Sequence, residues 1–114
     1  MGCSMFLKEK NPDIQIVGCQ PTEESSIPGI RRWPAAYLPK IFDASRVDTV
    51  IDIAQSDATA RARELVRKEG IFAGMSTGGA FHAALSIANR IEEGVIVFIA
   101  CDRGDRYLSS DLFA

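Results

Sequence analysis

The stretch Val95-Ile96-Val97-Phe98-Ile99-Ala100 is apolar at every position and stops abruptly at Cys101-Asp102-Arg103-Gly104-Asp105-Arg106. A strand with one wet face alternates apolar and polar residues, so a run without alternation predicts a strand covered on both faces, inside a parallel sheet. The preceding segments supply the other layers. Ile14–Gly18 reads as a short buried strand and Val47–Ile53 (VDTVIDI) as a second. A helix follows, capped at Ser56 or Asp57, with Ala58, Ala62, Leu65 and Val66 on one face; it ends near Lys68, and Gly70 closes it. Another helix, running to about Glu92, is predicted by Phe81, Ala84, Leu85, Ala88 and Ile91 at helical spacing. Residues 2–10 suit a helix that stops before Asn11-Pro12-Asp13, because proline forces its predecessor out of the helical region. Strands alternating with helices predict an α/β fold, a parallel sheet flanked by helices with right-handed crossovers.

Composition removes several functions. Thirteen Lys and Arg stand against fifteen Asp and Glu, spread along the chain, so no basic stripe announces a nucleic-acid partner. Cys3, Cys19 and Cys101 are odd in number and widely spaced, which argues against a disulfide framework and a metal site and suits a reducing cytoplasm. No apolar run approaches the roughly eighteen residues that a membrane span needs, and the first residues lack a signal peptide's pattern. A cytoplasmic protein without membrane contact is expected. The opening, an apolar helical start with no convincing cap, reads like a chain that begins mid-fold.

From Gln20 to about Arg46 lie four of the five prolines, Gly29 and the aromatics Trp33, Tyr37 and Phe42, with neither period sustained. A loop this long in a compact domain usually has a task, and its apolar content predicts that it packs down as the wall of a site. Within it, Arg31 and Arg32 sit between Pro28 and Pro34, either as forks for a carboxylate or sulfur oxyanion or as a solvated surface pair. Gly74-Met75-Ser76-Thr77-Gly78-Gly79 opens a helix; its backbone N–H groups and hydroxyls either meet a ligand or simply make a tight turn and cap. It matches neither the Rossmann nor the P-loop pattern. Cys101 to Tyr107 leaves the apolar strand where ligands of open α/β sheets bind, or is a solvated loop. His82 reads as structural.

Taken together, Ile16 to Pro21 (IVGCQP), Ser25 to Pro34 (SSIPGIRRWP), Glu69 to Gly79 (EGIFAGMSTGG) and Cys101 to Ser109 (CDRGDRYLS) resemble the B type of the cysteine synthase family of pyridoxal-phosphate (PLP) enzymes. The likeness covers nearly the whole chain. IPGIRRWP and CDRGDRYLS carry the B type, since the A type has a Pro-Ser-Ser-Gly at 101–104 and a differently built loop after Gln20-Pro21. The resemblance implies the tryptophan synthase β-like, fold type II architecture, with residues 1–114 forming the C-terminal part of the PLP-binding domain. In that family a lysine of the N-terminal half carries the cofactor, and a Gly-Thr-Thr-Gly-Thr loop holds its phosphate. Neither is here: Lys8, Lys10, Lys40 and Lys68 lie in no matching context, the phosphate loop would fall immediately before Gly2, and Ala114 falls short of the usual C-terminus. No catalytic residue is therefore expected in the chain, and the isolated chain is expected to be inactive.

For the residues present, the resemblance implies that Ser76, Gly74 and Cys101 line the cofactor, with Cys101 near the pyridine nitrogen. Arg31, Asp102 and Gly29 are implied at the substrate. The parent reaction would be β-replacement on O-acetylserine by sulfide or thiosulfate, giving cysteine or S-sulfocysteine, in a homodimer. Thr77 and Met75 stand where the family commonly has serine and isoleucine or valine. The alternatives are another PLP enzyme, such as a cystathionine β-synthase or threonine dehydratase, and a non-catalytic α/β binding module.

Overall fold

In the computed structural model, residues 1–114 form three helices, one two-stranded parallel sheet and four short 3-10 turns. Helix α1 (Gly2–Lys10) ends at Asn11, whose extended backbone (φ −151°) satisfies the geometry Pro12 demands. Strand β1 (Val17–Pro21) pairs in parallel with β2 (Thr49–Ile53), Val17 opposite Thr49 and Pro21 opposite Ile53. Both strands start later than their apolar residues predict. The reason is Asp48: its carboxylate accepts the Ile16 N–H at 2.7 Å, and its own N–H goes to the Ile16 carbonyl, so regular pairing begins one residue on.

Helix α2 (Gln55–Glu69) follows β2 and is terminated by Gly70, whose φ of 68° is the left-handed conformation that favours glycine. Ala58, Ala62 and Leu65 are buried as predicted. Its cap is not Ser56 or Asp57. The Gln55 N–H donates to Ser25 Oγ at 3.0 Å, so the hydroxyl comes from a loop thirty residues away in sequence. Helix α3 (Met75–Ala88) packs on α2 almost backbone to backbone: a Cβ on Gly78 would lie 2.0 Å from the Ala58 carbonyl oxygen. This close approach makes the face Met75 to Gly79 plus Ala83 the buried one, while the predicted row Phe81, Ala84 and Leu85 is only half covered and Ala88 is exposed. The helix also stops short of Glu92.

The core joins Ile53, Ala58, Ala62, Met75 and Ala83 to Ile27 from the long loop and Leu112 from the last turn. Ile27-Pro28-Gly29-Ile30 is a turn closed by the Ile30 N–H on the Ile27 carbonyl (3.0 Å), with proline second and Gly29 at φ 91°, the requirements of a type II turn. It seats Ile27 in the core and Ile30 against it. Beyond that turn, the loop does not pack down as expected. Tyr37 and Ile41 are 73% and 75% exposed, and Trp33, Leu38 and Phe42 are exposed as well.

The largest departure is at 95–100, which forms no strand. None of residues 95–101 makes a backbone–backbone hydrogen bond, and Val95 and Val97 are 93% and 85% exposed. A strand exists only where a neighbour completes its ladder, and no segment of this chain pairs with that one. Phe98 alone is tied down, its ring 5.5 Å from that of Phe81.

Candidate functional site

The first turn of α3 ends against the segment that follows 95–100. A helix start has several N–H groups without intrahelical partners, and the glycine-rich entry leaves them accessible. They are not open to a ligand. Asp102 Oδ1 accepts from Gly74 N (3.1 Å), Thr77 N (3.0 Å) and Thr77 Oγ1 (2.5 Å), and Oδ2 accepts from Ser76 N (3.0 Å) and Tyr107 Oη (2.8 Å). Five donors on a carboxylate with about four lone-pair positions leave no room for another partner. Asp102 therefore acts as a remote N-cap, a negative charge at the positive end of the α3 dipole.

The chemistry of the cap shows in its ionisation. Burial by itself would raise the Asp102 carboxyl, but the hydrogen bonds from Thr77, Tyr107 and Ser76 outweigh it and bring it down to about 2. Tyr107 moves the other way. Its hydroxyl is pushed up to about 12, first by burial and then by donating to, and facing the charge of, Asp102.

With Asp102 turned into the helix, its neighbour Cys101 points elsewhere. Cys101 Sγ lies 3.2 Å from Ser76 Oγ, a hydroxyl–thiol pair at the mouth of α3. Ser76 is 4% exposed and Cys101 is exposed, so the pair reaches solvent on the thiol side. The positive-φ Gly29 borders it from the loop: a Cβ there would lie 3.2 Å from both Cβ and Oγ of Ser76. The Cys19 thiol on β1 is pushed up from its ordinary value, first by burial and then by the proximity of Cys101.

Four of the expected site residues, Gly74, Ser76, Cys101 and Asp102, thus share one hydrogen-bonded cluster, with Gly29 at its edge. Arg31 does not join it. Its guanidinium sits 6.0 Å over the Trp33 ring and makes no ion pair, whereas Arg32 bonds Asp52 Oδ1 (2.8 Å) and the Pro21 carbonyl (3.1 Å) and ties the loop to the sheet end. The sequence assigns two further members to neither the cofactor nor the substrate: Thr77, whose hydroxyl reads as a capping or ligand group, and Tyr107, at the end of the segment after the apolar run. Thr77 is fully buried and shares three hydrogen bonds with Asp102, and the Tyr107 ring packs against Gly74, where a Cβ would sit 2.1 Å from it. The glycine at 74 was the available signal for a ring packed on the backbone.

The pyridoxal-phosphate dependent enzyme family matches residues 1–102. The chain belongs to that family. Among curated relatives of the chain, a cysteine synthase B of Pseudomonas aeruginosa is 59% identical over 113 residues, 99% of the chain and 38% of the relative. A second, the cysteine synthase B of Salmonella typhimurium, is 56% identical over 98% of the chain and 37% of its own length. The cysteine synthase structure from Entamoeba histolytica superposes with a TM-score of 0.89 at 36% identity, over 98% of this chain and 36% of that one. The chain thus spans a little over a third of the length of the curated relatives it matches. The fold class predicted from the sequence is that of these neighbours, and the cofactor of the family is PLP.

The residues present fit one end of that cofactor. Ser76 and Cys101 offer a hydroxyl and a thiol, hydrogen-bonding groups able to face a pyridine nitrogen, with the nearby carboxylate already bound by the α3 start. The phosphate end finds no counterpart here, since the α3 start is filled by Asp102. No helix of the chain is long and apolar enough to cross a membrane.

Proposed function

We propose that this chain is the C-terminal part of a PLP-dependent cysteine synthase of the B type and forms the pyridine-nitrogen wall of its cofactor site. The observation that carries the reading is the Ser76–Cys101 pair, 3.2 Å apart, beside an Asp102 whose carboxylate is consumed by α3. PLP, when bound, supplies the electron sink that lets acetate leave Cβ of O-acetylserine and sulfide or thiosulfate add there. The task of Ser76 and Cys101 is to face the ring nitrogen with neutral groups. A nitrogen left unprotonated limits carbanion build-up at Cα and favours loss of the β-substituent over transamination. Gly29 keeps a side chain off Ser76 at that wall, and Gly74 makes room for the Tyr107 ring and the Asp102 carboxylate behind it. Arg31, which lies over the Trp33 ring and makes no ion pair, is available to attract an anionic sulfur donor. A cytoplasmic homodimer is the assembly this reading expects.

The test is substrate choice in the full-length protein that contains these residues. O-acetylserine with sulfide or thiosulfate should yield cysteine or S-sulfocysteine, with serine and threonine turned over poorly. Turnover of serine with homocysteine, or deamination of threonine, would replace this reading with a related PLP activity. Ser76→Asp, which presents a carboxylate to the ring nitrogen, should lower β-replacement and change the absorption of the bound cofactor. An unchanged spectrum would remove Ser76 from the wall.

A further inference from the structure

We propose that Tyr107 is a positioning residue of this wall: through Asp102, its hydroxyl sets the register of Cys101 Sγ against Ser76 Oγ. The inference rests on the proposed cofactor wall for its meaning, but its geometry stands without the cofactor.

Cys101 has little else to hold it. The seven residues 95–101 make no backbone–backbone hydrogen bond, and the only polar partner of the thiol is Ser76. Residues 102 and 103 are tied to the α3 entry by the Asp102 N–H on Thr77 Oγ1 at 3.4 Å and by the bridge of Arg103 with Ala73, and the Asp102 side chain is the tie nearest the Cys101 thiol that reaches the Ser76 N–H. That side chain is gripped from two sides. Gly74, Ser76 and Thr77 grip it from the helix, and Tyr107 grips it from its own loop, in the 3-10 turn Gly104–Tyr107. Tyr107 is the one donor that does not belong to the α3 entry, and it shares Oδ2 with the Ser76 N–H, so it fixes the oxygen nearest Ser76.

The turn bearing Tyr107 is itself braced. Gly104 lies under the Phe72 ring, where a Cβ would come within 2.5 Å of it, and its N–H donates to the Phe72 carbonyl at 3.0 Å. Phe72 in turn meets Phe113 at 5.0 Å, and Arg63 on α2 holds this last segment through the Leu112 and Asp111 carbonyls at 2.5 and 2.7 Å. The brace leaves Tyr107 in place when its hydroxyl is removed, so Tyr107→Phe isolates the hydroxyl's effect.

The test is the alkylation rate of Cys101 by an uncharged reagent in the full-length apoprotein, with Cys3 and Cys19 replaced. Tyr107→Phe should raise the rate severalfold as the thiol loses its Ser76 partner. Ser76→Ala should raise it comparably, and Tyr107→Phe should add nothing on the Ser76→Ala background, the non-additivity expected of groups acting through one contact. Asp102→Asn, which keeps the shape but weakens the cap, should reproduce the increase and serves if Tyr107→Phe fails to fold. A rate unaffected by Tyr107→Phe, or raised equally with and without the Ser76 hydroxyl, overturns the proposal. Because no cofactor enters this measurement, its failure is distinct from failure of the cofactor reading, which shows in the PLP spectrum of Ser76→Asp.

Discussion

Thr77 holds Asp102 twice: one carboxylate oxygen accepts both its N–H, at 3.0 Å, and its Oγ1–H, at 2.5 Å, across twenty-five residues of sequence. The contact is fully buried on the threonine side. Thr77→Val keeps the volume and loses the hydroxyl. Losing a hydrogen bond to a charged acceptor should cost about 1.5–3 kcal/mol, read as a lower midpoint in urea at an unchanged slope. Thr77→Ser should recover most of it, and equal stability of Val and wild type would deny the bond any net role.

The Asp102–Tyr107 pair predicts a stability plateau with two edges. Asp102 is depressed from its ordinary 3.8 to about 2, so it contributes stability above 3.8 that is lost as the pH falls through 2. Tyr107 is raised from 10.0 to about 12, so its contribution is complete below 10 and lost as the pH rises through 12. After allowance for solvent screening, the acid edge should amount to about 1–2 kcal/mol. Asp102→Asn should flatten the acid edge, and Tyr107→Phe should remove the alkaline one. An acid limb of the same depth in Asp102→Asn would assign it to other carboxylates.

Gly78 marks where α2 and α3 touch through their backbones. A methyl there would meet the Ala58 carbonyl oxygen at 2.0 Å and the Ala62 nitrogen at 2.8 Å, neither of which can step aside like a flexible side chain. Gly78→Ala should therefore destabilise by about 1–3 kcal/mol or more through overpacking. Gly2→Ala, with nothing within 4 Å, should be neutral or stabilising by up to about 1 kcal/mol. The two variants, compared by thermal unfolding, separate close packing from helix propensity.

Ser25 caps α2 from the loop that also carries Gly29. Ser25→Ala should cost about 0.5–2 kcal/mol, the usual loss for an N-cap hydroxyl. Ser56→Ala, at the position the sequence favours for the cap, should cost less than Ser25→Ala. The reverse order would return the cap to Ser56.

Much of the site's frame was legible from the chain, and the particular misses share a cause. Gly70 ends α2 because only its own φ matters there, and Ala58, Ala62 and Leu65 face inward because helical spacing puts them on one stripe. Ser76, Gly74 and Cys101 were recognisable through short motifs. The resemblance implied Asp102 at the substrate, and nothing local in the sequence reveals that its carboxylate returns to α3. The irregular loop was expected to cover its aromatics, but apolar content does not specify a surface to lie on.

What the sequence by itself determined is therefore local: the type II turn at Pro28-Gly29, the glycine that stops α2, the small residues that let α3 approach, and the family to which these strings point. Tertiary structure decided which donor meets which acceptor. It put Ser25 rather than Ser56 on α2, closed Asp102 on the start of α3, and left 95–100 without a ladder. Backbone dihedrals and helical periodicity are properties of adjacent residues. Hydrogen-bond satisfaction and strand pairing are properties of segments brought together, and they appear only once the chain has closed those distances.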